Sequence, residues 1–138
     1  MKKKPVPAAA IAIDTLIGGG VVRVAAQASV ADVAKAIADN NIGAVIVGDE
    51  VRPTALVSER DVVRVVAGGR DPAGVPARDI ASTSLVWCEA DDTVEEAAIR
   101  MMDREIRHLL VERDGTLAGI VSSRDLLGVY ATDADHAL

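Results

Sequence analysis

At 138 residues and 50% hydrophobic content the chain can build one compact core or two tightly packed half-domains, and it is too apolar to be disordered. A net charge of −6 excludes a broad nucleic-acid surface, because neutralising phosphates needs clustered Lys and Arg; an aromatic share of 1%, Trp87 and Tyr130, removes most stacking surface for bases. A small anionic ligand in a local basic pocket is still allowed. The single cysteine, Cys88, excludes an internal disulfide and a cysteine metal cluster, and it suits a reducing, cytoplasmic setting.

Taken in order, residues 1–20 read as an N-terminal arm. Lys2, Lys3 and Lys4 ahead of an apolar run faintly resemble a secretion signal, but Pro5 and Pro7 break the run and Asp14 ends it short of membrane-spanning length. The arm holds one helical turn at most, either as a free leader or packed against the rest of the chain, and Gly18, Gly19 and Gly20 close it as a linker. Residues 21–24 form a short strand. Ser29 with Asp32 is a capping-box pattern, and Val30, Val33, Ala34, Ile37 and Ala38 recur at helical spacing. Asn40 and Asn41 stop that helix. The continuous apolar run 42–47 reads as a buried strand, Gly48 to Glu50 turns the chain, and residues 54–57 form a second strand. A helix follows Asp61 and stops at Gly68 and Gly69.

Residues 70–84, with Pro72, Gly74 and Pro76, form a linker holding a single turn over 77–81. The same order then returns. Residues 85–88 are a strand, Thr93 with Glu96 a capping box, 94–104 a helix and 106–111 a strand; Arg113, Asp114 and Gly115 make a hairpin turn, and 117–121 is the returning strand. Residues 132–138 are a polar, frayed tail. The reading is an α/β chain with an arm (1–20), a first β-α-β-β-α repeat (21–69), a linker (70–84), a second repeat (85–131) and a tail (132–138).

The repetition can be checked by subtraction. Ser122, Arg124 and Asp125 lie 64 positions after Ser58, Arg60 and Asp61 (122 − 58), and the same offset pairs Ile42 with Ile106, Val47 with Val111 and Val30 with Val94. The gapless superposition of 22–67 on 86–131 also matches Val22, Ala26, Ala34, Asp39, Val57, Val65 and Ala67. Apolar matches arise from composition; Ser, Arg and Asp within four residues do not. One unit leaves an apolar helix face and sheet face uncovered, and two copies can cover each other as a pseudo-twofold pair.

The repeated Ser-x-x-Asp has two compatible readings. It is an ordinary helix N-cap, with the carboxylate bonding back. It also places a hydroxyl and a carboxylate in one crevice at a strand end, which suits a vicinal diol such as a ribose, while the helix N-terminus and the intervening Arg favour a phosphate. Capping alone does not call for Arg60 and Arg124.

On these residues the chain resembles a tandem pair of cystathionine β-synthase (CBS) domains, a Bateman module, over about residues 8–131. Gly119-Ile120-Val121-Ser122 through Asp125 carries the most specific part of the likeness, and the run from Ile106 to Val111 is similar to the family's strand after the first helix. The first copy departs from the pattern: Ala55 replaces the usual Gly, and Gly43-Ala44 stand where the second copy has Arg107-His108.

The resemblance implies clefts between the repeats that hold an adenosine ligand such as AMP, ADP, ATP, S-adenosylmethionine or a dinucleotide. Ser58 and Asp61, or Ser122 and Asp125, would take the ribose. Arg60, Arg124, Arg107 and His108 would be phosphate candidates, and the chain around 24–26, Ile42, Gly43 and Ala44, and 88–90 would enclose the base. The asymmetry implies that one cleft binds better. The expected function is that of a stand-alone, non-catalytic sensor, a disc-like homodimer in the cytoplasm that signals through its dimer contacts or a protein partner; the alternative is a scaffold with vestigial clefts.

Other constellations are weaker. Ser122, His108 and Asp125 do not make a hydrolase triad: only one copy has the His, and neither a nucleophile elbow nor an oxyanion loop accompanies it. His108 reads as a half-buried strand residue or a phosphate contact, and metal binding through His108 and His136 is not expected. Cys88 reads as a small buried hydrophobe rather than a redox sensor. Met101 and Met102 read as core or dimer packing.

Overall fold

A parallel strand pair joined by a helix is the nucleus of each repeat. The structure, a computed structural model, describes residues 6–18 and 20–137, with side chains as far as residue 132. In the first repeat the elements are β1 (Arg23–Val24), α1 (Val30–Asn40), β2 (Ala44–Val47), β3 (Leu56–Ser58) and α2 (Glu59–Ala67). β1 runs parallel to β2, with Arg23 opposite Ile46, and β2 runs antiparallel to β3, with Ala44 opposite Ser58. Parallel strands need a crossover, and α1 supplies it. All four residues of β2 are buried, as a continuous apolar run requires.

The capping signals act as read. Ser29 Oγ accepts from the Asp32 amide at 3.1 Å, and Asp32 returns the bond to the Ser29 amide at 3.0 Å, so Asp completes the box as Glu does. Asn41 ends α1 in the left-handed conformation at φ 52.

After a 3-10 turn (Pro72–Gly74) and the short α3 (Ala77–Ile80), the second repeat gives β4 (Trp87–Glu89), α4 (Val94–Arg104), β5 (His108–Arg113), β6 (Thr116–Ser122) and α5 (Ser123–Ala137). β4 is parallel to β5 and β5 antiparallel to β6, with His108 opposite Ser122. Arg113 pairs with Thr116 across Asp114 and Gly115, whose φ of 53 and 79 make the two-residue turn that Asp-Gly favours. The expected β-α-β-β-α order is present in both repeats. One difference lies at the end: helical backbone continues through Ala137, where a frayed tail is expected, because Ala131, Ala134 and Ala137 are strong helix formers and residues 129–137 contain no Gly or Pro.

The two compact units are not two contiguous halves of the chain. One spans residues 20–85; the other joins residues 86–138 to the arm. In that second unit the arm forms two 3-10 turns, Ala8–Ala10 and Ile13–Leu16, and Ile13 is fully buried with Cys88, Val94, Leu109, Val111, Val121 and Leu126. The linker does the same for the first unit, where Ala77 is buried with Val33, Val45, Val47 and Val57.

The bonds repeat at the same 64-residue offset. Val94 donates to the Ile11 carbonyl and Val30 to the Val75 carbonyl, both at 2.8 Å; Ile13 donates to Asp92 and Ala77 to Ala28, again both at 2.8 Å. Each repeat's leading segment thus covers the other repeat. Among the described residues no helix is long and apolar enough to cross a bilayer.

Candidate ligand-binding sites

In the first repeat Ser58 is the last residue of β3 and the N-cap of α2. Its Oγ accepts from the Asp61 amide at 3.3 Å and donates to Asp61 Oδ2 at 3.0 Å, while its own amide donates to the same oxygen at 2.9 Å. The other carboxylate oxygen of Asp61, Oδ1, lies 3.8 Å from the Arg64 guanidinium. Both oxygens are therefore engaged by groups of α2 and its cap.

β2 brings Ile42, Gly43 and Ala44 of the predicted base-enclosing chain alongside, whereas residues 24–26 lie at the other end of this sheet, where Val24 is opposite Val47. Ala44 sits opposite Ser58, and the Gly43 carbonyl accepts from the Glu59 amide at 2.9 Å. Ile42 is half-buried and packs with Val33 and Val57. Arg60 is exposed on the first turn of α2.

The second repeat builds the same crevice with different residues. Ser122 ends β6; its amide donates to Asp125 Oδ2 at 2.8 Å, and its Oγ accepts from the Asp125 amide at 3.1 Å. Here the hydroxyl proton and Asp125 Oδ1 have no bonding partner among the described residues. Gly128 stands at the position of Arg64, so no cation reaches the carboxylate from the helix's next turn. Arg107 presents its carbonyl to the Ser123 amide at 2.9 Å, as Gly43 does to Glu59. His108 is half-buried beside Ser122, and Arg107 and Arg124 are exposed.

Each repeat thus gathers its own predicted residues at one strand end: Ile42, Gly43, Ala44, Ser58, Arg60 and Asp61 in the first, Arg107, His108, Ser122, Arg124 and Asp125 in the second. Arg64 escapes a reading based on matched residues, because it is a point at which the repeats differ. Its signal is its place three residues after Asp61 in a helix, where side chains meet.

The remaining candidates resolve simply. Cys88 is 2% exposed, and burial, aided by Asp92 and Glu89, pushes its thiol up to about 11; this is an inert core cysteine rather than a sensor. Met101 is core, whereas Met102 is exposed. Among the described residues no group of three His, Cys, Asp or Glu could hold a metal ion. The His136 side chain and Lys2 to Lys4 lie outside the described residues.

Two like β-α-β-β-α units, each carrying Ser-x-x-Asp where its last strand meets its last helix, define a tandem-repeat protein. The CBS domain family model matches it twice, over residues 17–68 and 77–132. The chain belongs to the CBS domain family.

The relatives agree. The CBS domain protein PAE2072 from Pyrobaculum aerophilum, solved in complex with AMP, is 32% identical, with a TM-score of 0.75 over 88% of this chain and 99% of that one. The CBS domain pair of protein MJ0100, solved with 5′-methylthioadenosine and S-adenosyl-L-methionine, shares the fold at a TM-score of 0.78 and 18% identity over 88% of this chain and 97% of that one. An uncharacterized protein of Methanopyrus kandleri, MK0525, is 44% identical over 62 residues, which is 44% of this chain and only 32% of that protein. The chain thus spans about a third of that relative's length.

Proposed function

We propose that this CBS pair is a regulatory module that binds an adenosine ligand, with AMP the first candidate, at one or both Ser-x-x-Asp crevices. The observation that carries the reading is the hydroxyl and carboxylate at a strand end in both repeats; a relative 32% identical that was solved with AMP supports it. Ser122 and Asp125 take the ribose diol, since the carboxylate has a spare acceptor and the hydroxyl a spare proton. Arg124 and Arg107 meet the phosphate near the N-terminus of α5, with His108 beside them. In the first repeat Ser58, Asp61 and Arg60 take the same roles with lower affinity, because Asp61 is already engaged. In the first repeat Ile42, Gly43 and Ala44, at the start of β2 beside Ser58, enclose the base.

Such a module acts without catalysis, through a difference in ligand affinity between two states of its own assembly or of a partner. Exposed apolar positions recur in both repeats, Val63 with Leu127 and Val66 with Tyr130, and they suit a homodimer contact in a cytoplasmic protein. The second reading, a scaffold with vestigial sites, draws on Asp61, whose Oδ2 is taken by the cap and whose Oδ1 faces Arg64.

Thermal unfolding of the purified chain against AMP, ADP, ATP, S-adenosylmethionine and GMP tests the proposal. Stabilisation by an adenosine ligand that is lost in Asp125→Asn supports it. No shift with any ligand at millimolar concentration favours the scaffold.

A further inference from the structure

We propose that the arm over residues 11–17 positions the Ser122–Asp125 site of the second repeat, so that ligand binding there and docking of the arm strengthen each other. The inference rests on the ligand reading above. It starts from which parts of the second repeat the arm holds. Three backbone bonds tie it to the chain that leads from β4 into α4: Ile13 to Asp92, Asp14 to Ala90 and Val94 to Ile11, each at 2.8 Å. That chain lies at the Glu112 end of β5, whereas Ser122 stands opposite His108 at the other end. The Asp14 side chain also pairs with Arg113 at the far end of β5.

The arm's side chains reach the strand and helix that carry Ser122 and Asp125. Ile13 shares one buried cluster with Val121 and Leu126, the neighbours in sequence of Ser122 and Asp125. Ile17 lies so close to Gly119 that a Cβ there would meet its Cβ and Cγ2 at 2.9 Å, and Gly119 is three residues before Ser122 on β6. One short segment thus braces the strand that ends in Ser122 and the helix that carries Asp125, and ties both to the β4 to α4 loop at the other end of the sheet.

At Gly18 and Gly20 the next part of the chain has nothing within 4 Å of where a Cβ would stand, so the braced segment ends there abruptly. A ligand that requires the braced strand and helix binds the docked state more tightly, and by linkage it raises the docked population. The arm is then an element through which occupancy of the second repeat is passed on.

The test is amide hydrogen exchange of the full chain with and without AMP. At ten times the dissociation constant, exchange at the amides of Ile13, Asp14 and Val94 is expected to slow by up to about tenfold. Asp125→Asn, which keeps the cap's acceptor, abolishes the slowing. By reciprocity, Gly119→Ala, which displaces Ile17, weakens AMP binding, and Ile17→Ala combined with it recovers part of the loss.

If AMP raises the melting temperature while the arm amides exchange unchanged and Gly119→Ala binds AMP as tightly as the parent, the coupling is wrong and the ligand reading survives. Absence of any AMP effect on melting overturns both.

Discussion

Ile17 fills the space that a side chain at position 119 would need, and Gly119 is what admits it. At the matching positions of the first repeat stand Ala81 and Ala55, both in one apolar cluster. A large residue over none and two small residues are alternative fillings of the same place. Ala55, which breaks the family pattern when the sequence is read alone, is therefore the complement of Ala81. Gly119→Ala should cost about 1–3 kcal/mol through overpacking. Urea denaturation should show that loss, with part of it restored by Ile17→Ala in the same chain. Equal midpoints for Gly119→Ala and the parent would contradict this packing.

The two carboxylates should not be equivalent. Calorimetric titration with AMP is expected to lose its tighter phase in Asp125→Asn and to keep it in Asp61→Asn. Arg64→Gly, which copies the second repeat's Gly128, should strengthen the first-repeat site by a few-fold at most, because an exposed ion pair is worth no more than about 1 kcal/mol. An unchanged second phase in Arg64→Gly would show that the pair does not compete with the ligand.

Cys88 gives a pH dependence of stability. Its folded-state value of about 11 lies above the ordinary 9.0, so the folded chain favours the neutral thiol. The contribution is complete below about pH 9 and is lost as the pH rises through 11, because the unfolded chain releases its proton first. The loss is on the order of 3 kcal/mol at about 1.4 kcal/mol per unit. The midpoint of unfolding should fall more steeply between pH 9 and 11 in the parent than in Cys88→Ala. Parallel curves would contradict the assignment. Alkylation of the native thiol at pH 7 should likewise wait for unfolding.

The paired exposed positions on α2 and α5 predict the assembly. Val66→Lys and Tyr130→Lys together should convert a dimer to a monomer in sedimentation at micromolar concentration, while helix content stays close to that of the parent and melting falls only by the stabilisation that association supplied. A parent that sediments as a monomer would remove this contact from the account.

Much of this architecture is legible in the sequence because it is local. Ser29, Ser58 and Thr93 each announce a helix by a side chain that bonds three residues on, and the Asp-Gly turn fixes the β5 to β6 hairpin. The Ser-x-x-Asp crevices are legible because the pattern occurs twice. The arm is not, because nothing local tells Ile13 that its neighbours are Val94 and Val121, more than seventy residues on. A weak signal is present: carrying the 64-residue offset upstream pairs Ile11 with Val75, Leu16 with Ile80 and Ile17 with Ala81, all apolar. The ion pair of Arg64 is hidden for the opposite reason, since comparing repeats draws attention to what they share.

Isothermal titration of AMP into the parent chain and into Asp61→Asn combined with Asp125→Asn tests the central claim most directly, because both substitutions leave an acceptor for the cap and remove the charge that a ribose diol would meet. Saturable binding by the parent that falls by at least about tenfold in the double variant, or roughly 1.4 kcal/mol, is the predicted result. Binding of equal strength in both, or none to the parent at millimolar AMP, would contradict it.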